Sequence, residues 1–268
     1  MAGPNATRRM TVLHALTEKK NVMTAVILRD MRSRFFNHGL GFLVVSLWPL
    51  AHMIILLGIY TGAGRKAPYG ESLNIFFATG LIPTLTFTYV SRFMSLSLIM
   101  NRTMLSFPVV TVVDIMMARA FLEVVATALT LFFMFMILLA LGDNPYPADP
   151  FEAVYAYLAA ILLAVGTGSL AGVFVMFMPF FATIYALSMI VVYLSSGTLF
   201  LSTGLPESVA YILSWNPVFH AVEWMRLAYF PGYSDKWLDR TYIISFGALS
   251  LCLGLFLERT LRMKMLEG

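Results

Sequence analysis

His220, Glu223 and Arg226 stand three residues apart, so on a helix they form one polar stripe within an otherwise apolar stretch. A base, an acid and a fixed cation in that arrangement suit two roles: contact with a polar substrate, or the pinning of two short helices. Arg119 and Glu123 are four apart and share a helix face, which reads first as a structural ion pair inside a bundle. His52 lies midway along an uncharged run, where an ionisable side chain is a functional candidate by default. A neutral histidine bonded to a neighbouring helix is the other reading. Cys252 is the one cysteine, so no disulfide within the chain and no thiolate metal cluster is expected. The phosphate loop G-x-x-x-x-G-K-[ST], G-x-S-x-G, H-E-x-x-H and the dinucleotide fingerprint are all missing. Carboxylates are nearly absent from the centres of the apolar runs, which argues against a proton- or sodium-coupled carrier. A transporter built from this chain would take its energy from another subunit.

The elements that hold these residues lie in lipid. Of 268 residues, 59% are apolar and 12% charged, and mean hydropathy is +0.81, which excludes a soluble globular enzyme. Six runs with few or no charges are long enough to predict membrane spans: 40–60, 73–91, 115–141, 153–177, 180–201 and 242–257. The charge-free stretch 153–206 is too long for one span, and Pro179 is the natural break. Six spans put both termini on one side. With the termini cytoplasmic, 13 of the 18 basic residues lie inside and 8 of the 14 acids outside, as the positive-inside rule requires. The net charge of +4 is therefore a topology signal, and no nucleic-acid surface is read from it. The expected fold is an all-α integral membrane domain over 1–268, with a cytoplasmic N-terminus at 1–39 and no processed leader.

Three segments are more than plain spans. Residues 22–36 read as an amphipathic helix on the membrane surface, with Thr24, Ile27, Leu28, Met31 and Phe35 on one face. Arg29, Asp30 and Arg32 fall largely opposite, and Arg34 sits at the edge. A basic flank that only sets topology is the alternative. The cytoplasmic loop at 100–114 carries Asn101, Arg102, Met104, Leu105, Pro108 and Asp114. It is rich in apolar residues, and a short helix there would suit a docking protein or pack on its own bundle. The outer segment 202–240 predicts two short helices broken at Asn216-Pro217, with Pro206 before the first, dipping back into the outer leaflet. Ala160, Ala164, Gly168 and Gly172 form a close-packing face, internal or between subunits. Trp48, Tyr60, Tyr185, Tyr193 and Phe200 lie within spans beside His52. Aromatic rings can stack on sugars along a path, or simply face lipid.

Three stretches together carry a resemblance. Arg32-Ser33-Arg34-Phe35 to Leu40-Gly41 leads into Pro49-x-Ala51-His52. Gly80-Leu81-Ile82-Pro83 is followed by Asn101, Pro108, Asp114, Ala118-Arg119-Ala120 and Glu123. The third is Asn216-Pro217-x-x-His220-x-Val222-Glu223-x-x-Arg226, then Pro231-Gly232-Tyr233. The chain resembles the permease subunits of ABC-2-type exporters, most nearly those of capsular polysaccharide export in Gram-negative bacteria. It departs from them in the uncharged turn 177–180 and in Trp48, where such permeases tend to carry an acid.

The resemblance implies a homodimer in the bacterial inner membrane that works with two cytoplasmic ATPase subunits. ATP and magnesium would sit in those partners, with no cofactor or metal in this chain. The cargo would be an acidic polysaccharide on a lipid anchor, handed to a periplasmic co-polymerase and an outer-membrane channel. Asn101, Arg102, Met104, Leu105, Pro108 and Asp114 would couple to the ATPase. Arg29, Asp30, Arg32, Arg34 and Phe35 would flank the entry of the lipid anchor. Pro206, Asn216, Pro217, His220, Glu223 and Arg226 would form the outer gate, and Trp48, His52, Tyr60, Tyr185, Tyr193 and Phe200 are candidates for the path. Export of O-antigen, teichoic-acid-type glycan or a small molecule, and an enzyme acting on lipid-linked sugar, remain alternatives.

Overall fold

The computed structural model describes residues 12–33 and 41–267, which are helical with short connections and hold no strand. In chain order the helices are α1 (Val12–Ser33), α2 (Gly41–Gly62), α3 (Leu73–Met100), α4 (Val112–Ala140), α5 (Pro150–Phe177), α6 (Phe181–Leu194), α7 (Glu207–Leu213), α8 (Pro217–Tyr229) and α9 (Arg240–Glu267). Among the described residues, α3, α4, α5 and α9 are long and apolar enough to cross a membrane. Helix α2 has 22 residues and no charge, whereas α6, with 14, is shorter.

Local chemistry starts most of these helices. The Ser72 hydroxyl accepts the Ile75 amide at the head of α3. Thr111 and Asp114 form a reciprocal capping box on α4, satisfying two amides that the first turn leaves without helical partners. Asp149 caps α5 and Asn216 caps α8, each followed by a proline whose missing N–H costs nothing at the first helical position.

Helix α5 is central because it is thin on two sides. A Cβ on Gly168 would lie 2.5 Å from Met94 Cβ and 2.6 Å from the Ser91 carbonyl, so α3 packs directly on the α5 backbone. On the other side, a Cβ on Gly166 would lie 2.2 Å from the Gly247 carbonyl of α9. Ala160, Ala164, Gly168 and Gly172 are buried within this chain, so the small-residue face is internal. Helix α8 rests on α3 and α5, α4 packs on α2 and α3, and α1 lies along α4.

The bundle has two distinct ends. At one, Val26 of α1, Leu98 of α3, Val112 and Ile115 of α4 and Val173 of α5 form a small core beneath the α3–α4 connector. At the other, the Ser72 hydroxyl and the Asn74 amide donate to Asp143, and the Asp149 amide donates to the Ala228 carbonyl, so α7 and α8 share that end.

Several expected boundaries shift. Helix α3 continues past residue 91 to Met100, because an exposed Arg92 ends a hydrophobic run without ending the backbone ladder. Helix α6 ends at Leu194 rather than 201, and α1 begins well before residue 22. Its inward face also differs from the expected one. Val26 and Asp30 are buried, while Thr24 and Leu28 are exposed. Arg34 and Phe35 lie outside the described residues.

Candidate functional site

Two polar clusters occupy opposite ends of the bundle, with hydroxyls and aromatic rings between them.

At the connector end, three cations bind α1, the connector and α4 together. Lys19 Nζ donates to both carboxylate oxygens of Asp114 at 2.7 and 2.8 Å. Arg29 donates to Asn101 Oδ1 at 3.1 Å and to Thr103 Oγ1 at 3.2 Å. Arg119 is buried under the Phe93 ring, 2.8 Å from Glu123 and 3.6 Å from Asp30 of α1. Asp30, expected on a solvated face, is thus drawn into the bundle because a buried guanidinium needs carboxylate partners.

Two residues expected at a docking surface are likewise interior. Asn101 closes α3 by donating to the Ser97 carbonyl, and Asp114 is held by its capping box and Lys19. Arg102 and Pro108 are exposed, and Met104 and Leu105 partly so. Phe107 and Val109, 56% and 67% exposed, are the apolar side chains this turn presents, and the sequence reading did not single them out.

At the other end, α8 is buried along most of its length. Arg226, fully buried, donates to the carbonyls of Phe200 (2.9 Å) and Thr198 (3.1 Å) and lies 4.2 Å above the Phe76 ring. Glu223 accepts from Ser202 at 2.7 Å and from the Tyr233 hydroxyl at 3.1 Å, with the Arg226 guanidinium 3.7 Å away. This pair ties the α6–α7 linker and the loop after α8 to one helix. Burial and the Glu223 charge push the Tyr233 hydroxyl up to about 12.

His220 stands apart from that pair. Its Nε2 is 2.7 Å from the Ser214 carbonyl, and its Nδ1 accepts the Asp239 amide at 3.0 Å. These bonds select the neutral Nε2–H tautomer and leave neither nitrogen for a substrate. Burial holds its pKa below the ordinary histidine value. The three residues therefore do not act as one stripe. Asn216 caps α8 and donates to the Val192 carbonyl and Ser195 Oγ of the α6 end. Pro217 opens α8, and Pro206 precedes α7 at the surface.

Between the ends, His52 stacks on Tyr193 with centroids 5.9 Å apart, and Tyr60 stacks on Phe77 at 4.3 Å. Thr198 Oγ1 bonds Thr84 and Ser196, both at 2.7 Å, and donates to the Gly80 carbonyl at 3.2 Å. Tyr185 is partly buried on α6, and Phe200 lies in the linker that Arg226 holds. Trp48 is 67% exposed on α2 and joins none of these groups. Thr111-x-x-Asp114 carries a spacing that marks a capping box. Lys19 and Ser202 had no local signal, because their partners are 95 and 21 residues away.

Fold and site together define an apolar helical bundle whose buried charges bind one segment of the chain to another. The comparisons agree with such a membrane component. No protein-family model matches the chain. It is 28% identical over 250 residues to the polysialic acid transport protein KpsM of Escherichia coli, covering 93% of this chain and 97% of that protein. It is 25% identical over 248 residues to the capsule polysaccharide export inner-membrane protein CtrC of Neisseria meningitidis serogroup A, covering 92% and 93%. The serogroup B protein of that name is 26% identical over 259 residues, covering 93% and 94%. These full-length similarities support the capsular-export permease family that the residue patterns resemble.

Proposed function

We propose that this chain is the membrane-spanning permease subunit of an ATP-driven exporter that carries a lipid-anchored capsular polysaccharide across the bacterial inner membrane. Its similarity to capsule-export proteins over more than nine-tenths of its length carries this reading. Two copies enclose the path, and α2 and α6 complete six crossings in each. Both termini are cytoplasmic, with 13 of 18 basic residues on that side. Two ATPase subunits bind the α3–α4 connectors and hold the ATP and magnesium. The chain itself supplies path and gate without covalent chemistry. A periplasmic co-polymerase and an outer-membrane channel take the glycan onward.

The geometry supports a division of labour in this reading. The exposed Arg102, Phe107, Pro108 and Val109 meet the ATPase. Buried Asn101 and Asp114 transmit its movement to the ends of α3 and α4, and α1 moves with them through Lys19 and Arg29. Helices α7 and α8 form the re-entrant outer gate, locked by Glu223 and Arg226. His52, Tyr60 and Tyr193, only partly buried in one copy, line the path.

Co-expression with the cognate ATPase tests the reading. The ATPase is expected to co-purify with the chain, and Phe107→Asp is expected to release it and leave finished glycan inside the cell. Glycan synthesis that stops rather than accumulates, with the ATPase still bound, would overturn it.

A further inference from the structure

Beside the Glu223–Arg226 lock, and separate from it, is a cleft of about 310 Å³ between α7, the loop after α8 and the start of α9. Tyr211, Trp215, Trp237 and Tyr242 line it, with Lys236 and Asp239. The size lies at the lower end of the ~300–1,000 Å³ range of small-molecule sites and suits one sugar ring or two.

The cleft is framed by fixed bonds. The Tyr242 hydroxyl donates to the Trp215 carbonyl at 2.8 Å. His220, which also lines the cleft, joins the Ser214 carbonyl to the Asp239 amide. These bonds position the walls while the rings of Tyr211 and Trp215 remain 58% and 67% exposed.

The charges narrow the ligand. Lys236 pairs with Glu207, but both side chains are largely exposed, so the pair exchanges readily for another anion. Asp239 caps α9 through the Tyr242 amide and brings a second, negative charge to the same cleft. A lipid phosphate would meet that carboxylate. A sugar would instead donate hydroxyls to Asp239, lay its C–H face on an aromatic ring and set an acidic substituent against Lys236. We infer that this cleft is a binding subsite for one acidic sugar residue of the exported glycan, used as the chain leaves the gate. The inference rests on the glycan-export reading above.

The test uses the purified full chain in phosphatidylcholine nanodiscs, read by tryptophan fluorescence. The probes are trisialic acid, trigalacturonate and maltotriose. Saturable quenching by at least one acidic trimer, tighter than by maltotriose, is expected. Trp237→Ala should raise its dissociation constant roughly tenfold, and Lys236→Gln should remove the preference for acidic sugar. Unfolding midpoints of both variants check that the fold is kept.

Quenching by none of the three probes, or quenching that both variants leave unchanged, would overturn the subsite. A fluorescence change that follows added phosphatidylglycerol and is blind to sugar would assign the cleft to lipid headgroups and also overturn it. Failure here is separable from failure of the exporter reading. If Phe107→Asp still blocks export while no sugar binds, the subsite alone falls. If sugar binds but no ATPase co-purifies, the exporter reading falls and the cleft is left as an acidic-sugar site without a role in export.

Discussion

Arg226 shows what a buried charge does in this chain. Its guanidinium reaches two carbonyls of the α6–α7 linker and a carboxylate one helical turn away, and Phe76 covers its face. Removing one partner of such a pair leaves the other buried without compensation, at a cost of about 3–5 kcal/mol. Arg226→Ala is therefore expected to lower the thermal unfolding midpoint sharply and reduce the amount of chain recovered from membranes. Arg226→Lys keeps the charge but loses the planar fork that spans Thr198 and Phe200, so it should recover only part of that loss. An unfolding midpoint in Arg226→Ala equal to the parent would remove the lock from the account. His220 makes a prediction of opposite kind. Its folded pKa is depressed by burial, so the unfolded chain takes up a proton at higher pH than the folded one. The stability it contributes is complete above the unfolded value of about 6.5 and is lost as pH falls from there through the lower folded value. Protonation would also set an N–H at Nδ1 against the Asp239 amide. Unfolding midpoints measured from pH 7.5 to 5 should fall, and the fall should be smaller in His220→Leu. Parallel curves for the two proteins would refute this origin.

At the scale of elements, packing rather than charge decides how α3, α5 and α9 meet, and the glycines give a graded test. A Cβ at Gly168 would press on Ser91 and Met94 within 2.8 Å, whereas one at Gly172 would stand 3.2 Å from the Met94 carbonyl. Overpacking typically costs about 1–3 kcal/mol. Gly168→Ala is thus expected to lower the unfolding midpoint clearly, and Gly172→Ala by much less. Equal effects would mean that α3 and α5 do not meet where described. These helices also show what was legible in the sequence. The start at Asn216-Pro217 could be read directly, because a cap and its amides lie within three residues, whereas the expected start at 153 overlooks the same signal at Asp149-Pro150. The small-residue stripe on α5 was readable as a packing face, but its partner was not, since nothing in the spacing points to α3. The link from α1 to the connector was illegible. Lys19 meets Asp114 and Arg29 meets Asn101 across 95 and 72 residues, and both cations looked like parts of a solvated flank. The stripe at 220, 223 and 226 was legible as a set of pins, but the segments that each residue holds were not, for the same reason. Equal spacing shows which residues share a face, but the elements packed on that face choose their partners.

For the whole molecule, the passage of α6 decides whether the chain reads as six crossings. Its 14 residues span only ~21 Å, against a hydrocarbon core of ~30 Å. Its start lies near the end of α5, where Phe174 and Phe181 touch, and its end is bonded by Asn216 at the opposite side of the bundle. Residues 195–201 complete the distance without helix. Their backbone is tolerable at that depth because it is packed within protein, with Thr198 against Gly80 and held by Arg226. Gly197 supports the bend with a φ of 80°, where a side chain would be strained and would also press on Phe219. If α4, α5 and α6 all cross, residues 106 and 208 must lie on opposite faces of the membrane. Cys252 is the one native cysteine, so Cys252→Ser gives a background free of thiols. Ser106→Cys and Ser208→Cys, both at exposed positions, can then be labelled separately with a membrane-impermeant maleimide on spheroplasts. The expected outcome is labelling of Ser208→Cys on intact spheroplasts, and of Ser106→Cys only after they are opened. The reverse order would invert the orientation that the basic residues favour. Labelling of both from the same face would show that α6 does not cross, and the gate formed by α7 and α8 would then lie on the side of the ATPase.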